Sequence, residues 1–252
     1  MPARIYRRIF LTGASMGIGR ALAEAYAGPG VTLGLVARNA GKLEDLRLRL
    51  EQQGCRAIPF AADVRDAAQM REAAQAFCAQ AGGVDLVIAN AGISHPDRLL
   101  TGDPAQSADI VQTNVQGVLY TLLPFVPPMV SQGGGHLVTI GSVAGFRGLP
   151  GKGAYCASKA AVKTLTDAYR PVLRRHGIRV TNIQPGFIAT ELTAKNKHPM
   201  PFLMSVDKAA RLIQRAIARG AASYVFPWQM RLLIPLLISL PDVFLPISDR
   251  RA

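Results

Sequence analysis

Apolar and polar positions fall into blocks that repeat in one order along the chain: a short apolar run, a turn, then a longer stretch of helical period. Residues 5–11 form the first apolar run and predict a buried strand, and residues 21–26 read as helix. Residues 31–37 predict a second strand, 43–53 a charged amphipathic helix, 57–61 a third strand and 66–80 a further helix. A fourth strand covers 85–89, followed by a long helical region over 105–130 that holds Asn114 and, near its end, Pro124, Pro127 and Pro128. Residues 137–140 and 178–183 predict the fifth and sixth strands, with a helix from 154 to 165 between them, and 223–226 is a last short strand. Pro171 removes one helical hydrogen bond from the region 154–175, which predicts a kinked or shortened helix. Strands alternating with helices at this pace place the chain in the α/β class, with a parallel sheet covered on both faces.

The polar residues with chemical potential cluster where strands end. Thr12-Gly13-Ala14-Ser15-Met16-Gly17-Ile18-Gly19-Arg20 lies between the first strand and its helix. Glycines there let the backbone approach a pyrophosphate, and helix N-terminal amides face its charge. The spacing is G-x-x-x-G-x-G, and a tight packing turn is the alternative. Arg38 closes the second strand about 20 residues beyond this turn, where an adenosine ribose is met. An acid would bond a free 2′-hydroxyl, but none occurs between Val31 and Leu43; the Arg38 fork suits a 2′-phosphate, so NADP(H) is favoured over NAD(H). Past the third strand, Asp63 next to Val64 suits an adenine amino group or a helix cap. After the fourth strand, the Asn90 of Asn90-Ala91-Gly92 suits a cofactor contact or a tie between strand ends.

The fifth strand delivers Ser142 to its C-terminal end, the edge where open α/β sheets bind ligands. A Gly/Pro-rich loop then leads to Tyr155 and Lys159, four apart on one helical face and therefore neighbours. An ammonium beside a phenol favours the phenolate and predicts a lowered Tyr155 pKa, which tunes it for proton exchange with a carbonyl or alcohol oxygen. Leaving the sixth strand, Pro185-Gly186-Phe187-Ile188-Ala189-Thr190 is a loop whose backbone and Thr190 are placed to close over a nicotinamide. Asn114, inside a helical pattern, is read as pointing to solvent or bonding backbone.

A length of 252 residues suits one domain spanning 1–252 with a sizeable core, and 49% apolar residues exclude disorder. Cys55, Cys78 and Cys156 stand far apart with no Cys-x-x-Cys, so neither a disulfide framework nor a metal site is expected. Arg4, Arg7 and Arg8 precede an apolar segment too short for a signal peptide, and a cytoplasmic protein is expected. Lys and Arg number 29 against 16 acids, a net charge of +13. That excess fits a phosphorylated cofactor, an anionic lipid surface or simply a solvated basic face. Nucleic acid lacks a recognition motif here and is not expected.

Taken in order, Thr12-Gly-x-x-x-Gly-x-Gly19, Asp63, Asn90-Ala-Gly92, Asn114, Ser142, Tyr155-x-x-x-Lys159 and Asn182-x-x-Pro-Gly186 with Thr190 resemble the short-chain dehydrogenase/reductase family over residues 5–190. The resemblance implies a single Rossmann-like domain, a doubly wound seven-stranded parallel sheet with helices on both faces, and hydride transfer with a nicotinamide cofactor. Carried over, Tyr155 is the general acid/base and Ser142 bonds the substrate oxygen. Lys159 holds the nicotinamide ribose and lowers the Tyr155 pKa, and Asn114 anchors a water leading to Lys159. Gly13, Ser15, Gly17, Ile18, Gly19, Arg38, Asp63, Val64, Asn90, Ala91, Gly92, Pro185, Gly186, Ile188 and Thr190 make the remaining cofactor contacts. A homo-oligomer is also implied, with Pro171 placing the usual tetramer in question.

Substrate choice is expected in 187–219, a loop and a basic amphipathic helix, with Leu192, Met200, Phe202, Leu203 and Met204 lining a pocket or else covering the core. These side chains suit a bulky hydrophobic substrate, a ketone or secondary alcohol. An NADPH-sensing binding protein without turnover is the alternative from another class, and a lipid-directed ketoreductase a third reading. Residues 228–252 form a hydrophobic extension, broken by Pro235, Pro241, Asp242 and Pro246, that should not cross a bilayer. An oligomer interface or a lid is the favoured role for 228–247, with contact at an anionic membrane surface as the competitor.

Overall fold

The computed structural model describes residues 5–194, 196, 199–239 and 241. Its first half runs β1 (Arg8–Thr12), α1 (Gly17–Tyr26), β2 (Thr32–Ala37), α2 (Ala40–Glu51), β3 (Arg56–Ala61), α3 (Ala67–Ala81) and β4 (Leu86–Ala89). The second half runs α4 (Ala105–Val111), α5 (Gly117–Leu122), α6 (Val126–Ser131), β5 (Gly135–Ile140), α7 (Gly153–Arg174), β6 (Ile178–Pro185), β7 (Ile188–Ala189), β8 (Met204–Ser205), α8 (Val206–Ala218), β9 (Ser223–Phe226) and α9 (Trp228–Ser239). Seven strands make one sheet in the order β3-β2-β1-β4-β5-β6-β9, and every neighbouring pair is parallel. The chain crosses from the β3 side to the β4 side of β1, so the carboxyl ends of β1 and β4 form the switch point of the sheet.

Alternation along each strand explains the two layers. Ile9, Leu11, Leu33, Leu35, Leu86 and Ile88 point to one face, where α1, α2 and α8 bury Leu22, Leu43, Leu50 and Ile213 against them. Phe10, Val36, Val87 and Leu137 point to the other, under α3, α5 and α7. There Phe10 meets Phe77 at 5.5 Å and Phe125 at 4.7 Å between ring centroids. Gly34 makes room for these rings, because a Cβ at that position would lie 2.6 Å from Phe77 and 2.8 Å from Phe10. Pro59 cannot donate to a ladder and sits in β3, an edge strand.

Three expectations change. The helical region 105–130 is divided: a π-helical turn at Gln112–Gln116 and a 3-10 turn at Leu123–Phe125 separate α4, α5 and α6. Prolines 124, 127 and 128 lack the N–H groups a continuous helix would need. Pro171 does not shorten α7, which runs unbroken to Arg174. It stands in the last turn, where one missing bond matters least, and the Arg170 guanidinium ties that turn to the carbonyls of Val180 (3.1 Å) and Ala222 (2.8 Å). Pro235 likewise lies inside α9 rather than breaking it. The parts of the expected C-terminal segment at 240 and 242–252 fall outside the described residues.

Candidate active site

At the switch point the glycine turn is clamped to β4. Thr12 Oγ1 accepts from the amides of Asn90 (3.2 Å) and Ala91 (3.3 Å), and Asn90 Nδ2 donates to the carbonyls of Thr12 (3.0 Å) and Gly13 (3.2 Å). Asn90 is thus the tie between strand ends. Gly13 and Gly17 adopt φ of +67° and +52°, the left-handed region open to glycine, and a Cβ on Gly13 would lie 2.8 Å from Asn90 Nδ2. Ala14 is buried and Ser15 half-buried. Helix α1 starts from Met16 with no side-chain cap, so the amides of Gly17, Ile18 and Gly19 have no side-chain acceptor. An uncapped helix start behind a glycine turn is a geometry that fits a pyrophosphate.

Arg38 is exposed just past β2, and Asp63 lies just past β3. An arginine that no sequence motif singles out holds Asp63. Arg65 donates from Nε to both carboxylate oxygens (3.1 and 3.0 Å) and from Nη2 to Oδ2 (2.6 Å), while its Nη1 reaches Asp109 on α4 at 2.6 Å. The Arg65 hydrogen bond keeps the Asp63 carboxyl below its ordinary range, and the charge of Arg38 adds to this. Val64 is buried against α5, where a Cβ on Gly117 would come within 2.8 Å of it, which leaves only its main chain for a ligand.

Ser142 leaves β5 in extended conformation, and its Oγ accepts from the Ala144 amide at 3.1 Å. A 3-10 turn, Val143–Phe146, brings the chain back against α7. Gly145 permits this approach, since its Cβ would stand 2.8 Å from the Lys159 carbonyl carbon and 3.0 Å from the Ala160 nitrogen. The Ser142 and Tyr155 hydroxyls are thereby brought near each other. Lys159, 6% exposed, donates from Nζ to the Ile140 carbonyl at 2.9 Å and stands 5.8 Å from the Tyr155 ring centroid.

The expected lowering of the Tyr155 pKa is not found. Burial of the phenol pushes its pKa up and outweighs the pull of the nearby Ser142 hydroxyl, while the ammonium lies over the ring and is turned to a backbone carbonyl.

Asn114 sits in the π-helical turn and is fully buried. It clips the backbone of Ile93, accepting from its amide at 2.8 Å and donating to its carbonyl at 2.9 Å, and also donates to Ser158 Oγ at 3.0 Å. Ser158 Oγ in turn donates to the Tyr155 carbonyl at 2.7 Å. Asn114 Oδ1 and Lys159 Nζ both lie within 3.5 Å of where a Gly92 Cβ would be, so a side chain at Gly92 would intrude between them. Asp97, buried and 58 positions from Tyr155 in no motif, caps α7 by accepting from the amides of Gly153 and Ala154.

The 185–190 loop is anchored by the Gly186 amide on the Phe226 carbonyl (2.7 Å) and by the pairing of β7 with β8, which buries Ile188. Thr190 stands over the glycine turn, with Cγ2 3.3 Å from the position of a Gly17 Cβ. The expected pocket residues divide. Met200 and Leu203 line a cleft of about 520 Å³ with Gly17, Arg20, Thr190 and Asp207, which Tyr155 does not line. Met204 is instead in the core, and Leu192 and Phe202 are exposed. Among the described residues, no group of acids, histidines and cysteines forms a metal site.

Burial holds the Lys159 pKa down to about 8 from an ordinary 10.5. Between those values the folded chain binds fewer protons than the unfolded one, so stability rises with pH in that window, and below about 8 the penalty is fully present. Lys159→Met should therefore stabilise the ligand-free protein at pH 7 by about 1–3 kcal/mol, after loss of the Ile140 hydrogen bond, with most of the gain gone by about pH 10. Urea unfolding at the two pH values measures this, and a variant less stable than wild type at pH 7 contradicts it.

Residues 7–201 match the family model described as short chain dehydrogenase. An uncharacterized oxidoreductase of Myxococcus xanthus is 41% identical over 251 residues, which is 100% of this chain and 99% of the relative. Among solved structures, a short chain dehydrogenase/reductase from Burkholderia phymatum in complex with NAD superposes with a TM-score of 0.85 at 26% identity, covering 98% of each chain. A 3-ketoacyl-ACP reductase from Sinorhizobium meliloti gives 0.78 at 30% identity, covering 89% of this chain and 99% of that one. Both the family match and the Myxococcus relative cover most of the chain, and the chain belongs to the short-chain dehydrogenases.

Proposed function

We propose that the protein is an NADP(H)-dependent carbonyl reductase, acting on a hydrophobic ketone or, in reverse, its secondary alcohol, with Tyr155 as the acid/base. The observation that carries this reading is buried Lys159, bonded to the Ile140 carbonyl with its Nζ over the Tyr155 ring, beside Ser142 just past β5. A neutral phenol is a donor, the state that reduction of a carbonyl requires. Ser142 can orient the carbonyl oxygen while Tyr155 Oη delivers a proton to it. In this reading Lys159 Nζ holds a ribose hydroxyl, and Asn114 keeps the Ile93 backbone and the Ser158 hydroxyl in place. A bound nicotinamide supplies the hydride. The glycine turn, the amides at the start of α1, Gly92 and the 185–190 loop with Thr190 are its proposed cradle.

The preference for a 2′-phosphate is supported by Arg38 and by the state of Asp63. A carboxylate clasped by Arg65 repels a phosphate less than a bare one would, and Arg38 stands exposed beside it. Hydrophobic substrates are supported by Met200 and Leu203, which line the cleft beside Thr190 and the glycine turn.

Two substitutions test the reading. Tyr155→Phe should lower kcat for NADPH-dependent ketone reduction by about 10²–10⁴-fold while NADPH still binds, followed by quenching of Trp228 or by calorimetry. Turnover within a few-fold of wild type would remove Tyr155 from the chemistry. Arg38→Asp should shift the ratio of kcat/KM for NADPH over NADH by about tenfold or more towards NADH, and an unchanged ratio would remove only the 2′-phosphate assignment.

A further inference from the structure

Helix α9 has two apolar faces. Met230 and Ile234 dock on the domain, each 8% exposed, while Trp228, Leu232 and Leu236, spaced four apart, are 67%, 66% and 65% exposed. The outward stripe is too long and too continuous to be scattered surface apolar residues. Arg231 is the one charged residue between Trp228 and Ser239, and it is exposed on the same helix.

The helix sits where the site opens. It follows directly from the carboxyl end of β9, and the Arg147 guanidinium, on the loop that leaves Ser142, donates to the carbonyls of Leu237 and Ile238. On its other side Met230 lies against Gly186, 3.2 Å from where a Cβ would be. The outward face of α9 therefore lies beside the loops that follow β5 and β6.

We propose that this face docks on the surface of a bilayer containing anionic lipid. Charge selects the occupant: a chain of net charge +13 is drawn to acidic headgroups. Trp228, the single tryptophan, sits at the start of the stripe, a side chain suited to the boundary between headgroups and acyl chains. The helix lies on the surface rather than crossing it. Twelve residues span only about 18 Å against about 30 Å of hydrocarbon. Among the described residues no helix is long and apolar enough to cross a membrane.

Flotation of the full chain with vesicles tests this and needs no turnover, so its failure and a failure of the carbonyl chemistry are separately visible. With phosphatidylcholine vesicles holding about 30% phosphatidylglycerol the protein should float, and with phosphatidylcholine alone it should bind about tenfold more weakly. Leu232→Ser with Leu236→Ser should weaken binding to the anionic vesicles about tenfold or more, and Arg231→Glu several-fold. Unchanged melting by circular dichroism controls for folding, and Arg231→Glu serves if the double variant does not fold. Wild type that fails to float, equal binding to both vesicle types, or equal flotation of wild type and variants overturns the proposal. So does a dimer by light scattering that becomes monomeric in the double variant without any flotation.

Discussion

The site depends on keeping an ammonium group inside the protein. Lys159 reaches the carbonyl that ends β5, and to do so α7 must lie close enough to the sheet edge for Gly145 to touch its backbone. That approach is what brings Ser142 near Tyr155. Desolvation opposes it, as the depressed Lys159 pKa records. The surrounding contacts hold α7 in place against that opposition: Asp97 on its first amides, and Asn114 joining Ser158 of α7 to the Ile93 backbone. A cationic interior group beside an open carboxyl edge is unfavourable for stability and useful for holding a polar ligand.

The same edge gathers every other functional element because the sheet is parallel. Each strand ends on one side, so β1, β4, β5, β6 and β9 deliver the glycine turn, Asn90, Ser142, the Pro185-Gly186 loop and α9 to neighbouring positions. The chain order of these residues has no bearing on their proximity. Thr12 and Asn90 are bonded across 78 positions, and Gly17 and Thr190 face each other from opposite ends of the family match.

Much of this was readable from residue types. Short apolar runs marked the seven strands because parallel strands are buried on both faces, and the glycine turn and Tyr155–Lys159 depend on local spacing alone. What local spacing could not reveal was orientation. Four positions along a helix place Lys159 next to Tyr155, but they do not say that its Nζ turns to Ile140 and lies over the ring, nor that burial of the phenol then pushes the Tyr155 pKa up instead of down. Asp97, Arg65 and Gly145 belong to no motif, and each acts on a partner chosen by the fold. For Gly145 a signal existed: a glycine in a loop just before a functional helix implies close backbone approach. Pro171 and Pro235 were overrated as helix breakers, since a terminal turn tolerates one missing bond and α9 passes its proline with its docked face intact.

A titration of the Tyr155 phenol in the ligand-free protein, followed by the NMR signal of its ring carbon bearing oxygen and assigned by its loss in Tyr155→Phe, tests the central claim most directly. Burial keeping the phenol neutral predicts no ionisation of Tyr155 below its ordinary value of 10.0. A midpoint near neutrality would show that Lys159 controls the phenol after all and would contradict burial as the force that sets its proton.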